Sequence, residues 1–400
     1  MNIVDATLNS FVINNTVNNT LVTGTDDGDD SILNYGANVT IDGGGNDTIE
    51  NYSSEEDAIQ VSGNVSSSIG GDNLVFTVGD TANAITLKDI FTGTDEATVK
   101  FVDSEGEEVS ALTYFKDGRI VDTDSNAVSL TAQYTPTAYT DEDGTCSLID
   151  ASALNKAMSL TGGTDSSGVT IKGGTKDDTL TGNAADDEFT GNAADDEFTG
   201  NGGSDVFVYG GGNVTVNYSE KDKDKVSLGA GFEIVGVSDD DGITLALSKK
   251  DSLGEEVDGD YSLVLDGATH KTKVNLVTTE YVRDKKNNVK TKATSSTIYF
   301  ADGMIRDSNV DAKVKKVTVF DGADFSELED TGKNAKYKAL STITAAAEAE
   351  VVGTEKNNTI VLQAGGTATG GLGNDTFIIE SGDAIVANQI IRRGSVNGIV

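Results

Sequence analysis

The sequence predicts an all-β protein in which short parallel β-roll segments alternate with strand-rich β domains. Three observations carry that expectation. A nine-residue phrase recurs through the middle of the chain, and TGNAADDEFTGNAADDEF from Thr181 to Phe198 holds it twice without a change. Runs rich in β-branched residues, bounded by Gly, Asp and Asn, fill the long stretches between repeats. Helical periodicity is scarce, confined to SLIDASALNKAM from Ser147 and TAAAEAEVV from Thr344.

The central repeats read GGTKDDTLT, GNAADDEFT, GNAADDEFT and GNGGSDVFV, from Gly173 to Val208. Position 1 is always glycine: Gly173, Gly182, Gly191 and Gly200. Position 6 is always aspartate: Asp178, Asp187, Asp196 and Asp205. Position 8 is always large and apolar: Leu180, Phe189, Phe198 and Phe207. Six residues of turn and three of strand would place position 8 inward and its neighbours outward. Glycines at positions 1, 2 and 4 would allow positive φ in the turn. Two nonapeptides then close one flat coil, and coils stack as parallel strands about 4.8 Å apart. Asp178 should lie over Asp196, and Asp187 over Asp205.

The same grammar recurs at both ends. TDDGDDSIL puts Asp30 and Ile32 at the sixth and eighth places, and GGGNDTIE puts Asp47 and Ile49 there with one residue missing. Near the other end, GTEKNNTIV has Asn358 in the acidic place, and GGLGNDTFI runs from Gly370 through Asp375 and Phe377.

A longer repeat encloses these. NYSSEEDAIQVSG at Asn51 resembles NYSEKDKDKVSLG at Asn217, and YFKDGRIVD at Tyr114 resembles YFADGMIRD at Tyr299. The expected organisation is a segment 1–20, degenerate repeats 21–60, a strand-rich domain 61–168 and a central roll 169–218. A second strand-rich domain 219–348 and a third repeat segment 349–400, open to being truncated, complete it. KDGR and Asn287-Asn288 are expected hairpin turns.

Composition bounds the chemistry. The chain has 400 residues, 66 Asp plus Glu against 29 Lys plus Arg, and a net charge of -37. Such a surface repels nucleic acid and anionic membranes and favours cations. Cys146 is the single cysteine, so no internal disulfide forms. The start carries no basic and apolar leader pattern, and no stretch approaches the 18 apolar residues of a membrane span. His270 is the one histidine, in DGATHKTK, where a turn is the expected reading rather than a triad or zinc site. No catalytic residues are expected. The basic stretch Lys271 to Lys292 reads as the solvated face of a hairpin, with an anionic surface polymer as the other reading. Asn-x-Ser/Thr sequons, as at Asn38 and Asn64, follow from Asn-rich turns before Thr-rich strands.

From Gly173 to Val208 there are nine acids and one base, Lys176. Carboxylates a few ångströms apart repel unless a cation lies between them. Calcium accepts six to eight oxygens, carboxylate and carbonyl alike, whereas magnesium demands tighter geometry and zinc prefers Cys or His. The expected ligands are the carboxylates of Asp178, Asp187, Asp196, Asp205, Asp30, Asp47 and Asp375, with carbonyls of Gly173, Gly182, Gly191, Gly200 and Gly370.

The pattern GGxGxDxUx, with U large and apolar, resembles the RTX or hemolysin-type calcium-binding repeat. GGLGNDTFI matches every defined position, the central four match well, and the amino-terminal set matches in part. The likeness covers about a fifth of the chain. It implies a parallel β-roll with calcium in its turns and release from a bacterial cell through a type I secretion system, without a cleaved leader. Lys176, Ala185 and Ala194 depart from it at position 4. An alanine forced to positive φ there would cost about 1 kcal/mol and weaken the site. Two good central sites and a weaker one at each end are expected. The implied role is a calcium-folded structural or adhesive protein, extracellular or on the bacterial surface. The alternative is an export module of a larger secreted enzyme. Self-association or a surface polymer stays open as a partner; nucleic acid and membrane insertion do not.

Overall fold

The computed structural model describes residues 11–24, 29–36, 39–42, 46–61, 65–78, 84–164, 167–238, 242–269, 272–301, 303–307, 316–320, 342–353, 357–380 and 382–386. These residues form strands and turns with no helix among them. The architecture is a parallel β-solenoid. The chain divides into two compact units, Met1–Lys156 and Ala157–Val400.

In the first unit, Val12–Asn15, Ser31–Asn34 and Asn46–Glu50 stack in parallel, with Ile13 on Ile32 and Ile32 on Ile49. A second row stacks Leu21–Thr23, Thr40–Asp42 and Ala58–Gln60, with Val22 on Ile41 and Ile41 on Ile59. These six side chains are buried and meet in the space between the rows. Alternation of inward Ile or Val with outward polar residues is what a strand with one wet face requires.

The strand-rich stretch grows directly from this roll. Ala84–Leu87 continues the first row in parallel, then Asn73–Val78 and Val65–Gly70 add to it antiparallel. Glu96–Val102 continues the second row, and Glu108–Phe115, Arg119–Asp122 and Ala127–Leu130 follow antiparallel. Leu148–Asp150 then returns to parallel pairing. Phe76 packs edge-on to Phe101 and Tyr114, with centroids 5.2 and 5.4 Å away.

The second unit repeats the plan. Ser159–Thr161, Thr179–Thr181, Glu197–Thr199, Asn213–Asn217 and Glu256–Asp266 run parallel, then Ile243–Lys250 and Phe232–Ser238 add antiparallel. The opposite row is Thr170–Lys172, Glu188–Thr190, Val206–Tyr209, Lys225–Ala230 and Val274–Arg283. Val289–Ala301, Met304–Asp307 and Lys316–Val319 follow antiparallel. Thr342–Ala345, Thr359–Leu362 and Thr376–Ile379 then resume parallel stacking. The long sequence repeat is thus a duplicated topology: parallel roll, hairpins on each row, parallel roll.

Both helix expectations give way to strands. Ile149, in the first, pairs in parallel with Val128 and is fully buried. In the second, Thr342–Ala345 and Glu350–Val352 are strands, with Ala345, Ala349 and Val351 fully buried. Parallel pairing and burial of these apolar side chains outweigh alanine's helical preference, which is a weak prior. The two expected hairpin turns form, with Gly118 at φ 97° and Asn287 at φ 65°.

Candidate functional site: the aspartate turns

The first three central nonapeptides fold as a turn and a three-residue strand, Thr179–Thr181, Glu188–Thr190 and Glu197–Thr199, and the fourth runs into the four-residue strand Val206–Tyr209. Leu180 pairs with Phe198, and Phe189 with Phe207, so one coil spans 18 residues. All four position-8 side chains are buried. Phe189 and Phe207 lie 5.3 Å apart at 17°, and Phe198 stacks 6.0 and 6.2 Å from them.

That stack fixes the turns one above another, and the position-6 aspartates are buried at 2 to 3% exposure. Asp178 lies beside Asp196 and Asp187 beside Asp205, in the order the spacing predicts. The contact is a ladder. Each carboxylate accepts, through Oδ1, a backbone N–H from the preceding coil. Asp178 takes Met158 N–H at 2.7 Å, Asp187 takes Val169 at 2.8 Å, and Asp196 takes Asp178 at 2.9 Å. Asp205 takes Asp187 at 2.9 Å, and Asp224 takes Asp205 at 3.2 Å. Position 5 works in the opposite direction. Asp186 accepts from Ser204 N–H at 2.6 Å, and Asp195 from Asn213 N–H at 2.7 Å, both in the following coil. The paired acids therefore meet backbone N–H dipoles on both sides.

The second oxygen separates two kinds of turn. Asp178 Oδ2 accepts Gly174 N–H at 2.6 Å, and Asp187 Oδ2 accepts Asn183 N–H at 2.7 Å. These turns are closed. In the next two, the position-2 residues Asn192 and Asn201 sit at φ 76° and 73°. Their backbone N–H no longer reaches the carboxylate. Their side-chain amides donate backwards instead, Asn192 to Gly173 O at 2.6 Å and Gly174 O at 2.8 Å, and Asn201 to Gly182 O at 2.9 Å. Asp196 Oδ2 is left buried with no hydrogen-bond partner. Asp205 likewise accepts through Oδ1 alone.

The electrostatics follow that division. Burial pushes the Asp196 carboxyl from 3.8 to about 8, the Asp178 N–H pulls it back, and the charges of Asp178, Asp177 and Asp195 push it further up. Burial pushes Asp205 to about 7, opposed by Asp187 N–H and helped by the charges of Asp224, Asp187 and Asp186. Asp178, Asp187 and Asp224 are also raised by burial, against two N–H bonds each.

The position-1 glycines are needed for room. Gly173, Gly182, Gly191 and Gly200 all lie outside the left-handed region. A Cβ on any of them would overlap Oδ2 of the aspartate five residues on. Position 4 also departs from expectation: Lys176, Ala185 and Ala194 are not at positive φ, so the anticipated alanine strain is absent. Among the central four only Gly203 at that place is left-handed, at φ 101°, as is Gly373 at the same place in GGLGNDTFI, at φ 115°.

The outer candidates are placed similarly. Asp30 is buried and accepts Phe11 N–H at 2.6 Å, while Asp30 N–H reaches Asp47 Oδ1 at 3.0 Å. Asp375 Oδ1 accepts Asn358 N–H at 2.8 Å, and a Cβ on Gly370 would crowd Asp375. His270, Lys271, Asn38 and Asn64 lie outside the described residues. Among the described residues, no three His, Cys, Asp or Glu side chains converge as a ready-made metal cluster.

Sequence reasoning missed Asn34, Asp57 and Asp224. Asp57 Oδ1 accepts Val39 N–H at 3.0 Å, and its Oδ2 accepts Asn34 Nδ2 at 2.9 Å and Ser53 N–H at 2.8 Å. Asp224 Oδ2 accepts Ser219 N–H at 2.7 Å in the same way. Tyr52 and Tyr218 seal the two corners, each hydroxyl donating to the carbonyl of that aspartate at 3.0 Å. The signal was the paired NYS phrases. Irregular spacing, 19 residues from Asp205 to Asp224, hid the ladder in them.

No family model matches the chain, and no curated protein matches it. Among solved structures, the extracellular lipase LipA from Serratia marcescens is similar over 66% of this chain at 14% identity and a TM-score of 0.22. The chain spans 39% of that lipase's length, and at such a score the likeness carries no argument about fold or activity.

Proposed function

We propose that this protein is a calcium-stabilised structural solenoid, made for the extracellular space or a bacterial surface, with no catalytic role of its own. The observation that supports this reading is Asp196 Oδ2, a buried carboxylate oxygen without a partner. A buried charge needs a proton, a donor or a cation. Calcium, oxygen-seeking and tolerant of irregular geometry, suits a turn of carboxylates and carbonyls. Asp196 and Asp205 are the turns that would take it. The closed turns at Asp178 and Asp187 have both oxygens occupied by N–H groups. The carbonyls of Gly173 and Gly182 already accept asparagine amides. Adhesion and type I export rest on the resemblance to RTX repeats and belong to the same proposal.

At low calcium the acidic turns repel and oppose folding; at millimolar calcium they fill. With dissociation constants on the order of 0.1–1 mM, tenfold excess adds about 1.4 kcal/mol per site. The test is thermal unfolding of the whole chain in chelator, in calcium and in magnesium, beside Asp196→Asn. Calcium alone should raise the melting temperature. In chelator above pH 8, where the Asp196 carboxyl is ionised, the variant should be more stable than the parent, because it removes a buried charge, and it should lose part of the calcium response. A parent indifferent to calcium, or a variant with the full response, would sink the proposal.

A further inference from the structure

The strands Val274–Arg283 and Val289–Ala301 form a hairpin that outgrows its sheet. Lys225–Ala230 pairs with the first strand only as far as Thr279. Beyond Thr279 the first strand pairs with the second alone, Glu280 with Lys292 through Arg283 with Val289. Four residues at about 3.3 Å each make an extension of about 13 Å, plus the turn. Lys290 to Ser295 are all exposed, so neither face of that strand's outer part is covered. Residues 280–292 carry five cations, Arg283, Lys285, Lys286, Lys290 and Lys292, against two anions, Glu280 and Asp284. Asp284 is turned into the loop, where it accepts Lys286 and Asn288 N–H at 2.8 and 2.9 Å and pairs with Lys290 at 3.4 Å, leaving Arg283, Lys285, Lys286 and Lys292 as the unbalanced cations. One side of the extension faces residues 231–233 and 250–254 across a cavity, and the turn beyond Arg283 is an exposed basic tip on a chain of net charge -37.

The same unit carries the complementary surface. Asp177 and Asp195, one coil apart at the turn edge of the central roll, are exposed, as is Glu197 at the start of the next strand, against one exposed cation, Lys176, beside Asp177. We propose that the basic hairpin of one copy docks on this acidic edge of a second copy. The screening length is about 8 Å at physiological ionic strength, so the tip's charges stand outside most of the acidic body's field. The two patches differ, so the contact is head-to-tail, and each copy can bind one neighbour through its hairpin and another through its acidic edge. This goes beyond the calcium reading and does not depend on it.

The test is sedimentation velocity of the full chain in millimolar calcium, with circular dichroism recording that it is folded. At about 0.15 M salt the parent should sediment faster as concentration rises, and at about 1 M salt it should be monomeric. Lys285→Glu, Lys286→Glu, Lys292→Glu in one chain should abolish association, as should Asp177→Asn, Asp195→Asn, Glu197→Gln in another. Mixing those two variants should restore pairs, because each supplies the patch the other lacks. Three results overturn the proposal: a folded parent monomeric at every salt, association unchanged in the hairpin variant, or a hairpin that binds heparin without any self-association. A calcium-insensitive melt beside salt-sensitive association would overturn the calcium reading and leave this one standing.

Discussion

At Gly191 a methyl group would overlap the Asp196 carboxylate, while three residues on Ala194 adopts an ordinary backbone conformation. Gly191→Ala should therefore lose about 1–3 kcal/mol through forced displacement of the turn. Ala194→Gly should lose only about 0.5–1 kcal/mol of chain entropy. Urea unfolding of the two variants measures the difference, and equal losses would mean that the turn yields room at position 1 without cost. Protonation is the second consequence at this scale. The folded Asp196 and Asp205 carboxyls stand near 8 and 7, above an ordinary 3.8. The folded chain thus holds more protons than the unfolded chain between those values. Their contribution is fully present below about pH 3.8 and is lost as pH rises through 7 and 8. In chelator, the urea midpoint should fall across that window, and Asp196→Asn should flatten the fall. A midpoint unchanged by pH would place these carboxyls in water.

Among the elements, the tyrosine corners tie each roll to its hairpins. Tyr218 OH donates to Asp224 O or Lys273 O, both at 3.0 Å, and accepts Asn275 N–H at 3.1 Å. Tyr218→Phe takes this partner from Lys273 O and Asn275 N–H, while Asp224 O keeps Asn275 Nδ2 at 3.1 Å, and should cost about 1–3 kcal/mol in unfolding experiments. Surface Tyr281→Phe should change nothing measurable. The short strands and the inward apolar column were legible because position 8 is always large and apolar. The hairpins were legible as strands but not as extensions of the roll's own rows. Nothing local in NLVFTV or ITLALS says which strand each will pair with. The state of each turn was hidden more deeply. Residues 182–190 and 191–199 are identical, yet Asn183 closes its turn and Asn192 opens the next. The difference lies in the coil beneath, where Asn192 finds Gly173 and Gly174 carbonyls and Asn183 finds Ser167 O. No window of sequence around the repeat contains that information.

For the whole molecule, charge sets the conditions under which a solenoid of this kind stands. A chain at -37 with its acids stacked in rows is opposed by its own field. Without calcium, raising an inert salt from about 0.01 M to about 0.15 M shortens the screening length from about 30 Å to about 8 Å. The melting temperature should rise over that range and change less once calcium is bound. A melt indifferent to salt in chelator would show that the N–H ladders neutralise the acids unaided.

The 18-residue coil also gives the roll a parity. Inserting 18 residues would add one rung, lengthening the stack by about 4.8 Å and leaving every later strand on its own row. Inserting nine would send Asn213–Asn217 to the row of Val206–Tyr209 and exchange the rows that bear the two hairpins. Growth of this architecture by duplication is therefore permitted in pairs of the repeat, and a lone copy of the phrase acts as a switch of sides.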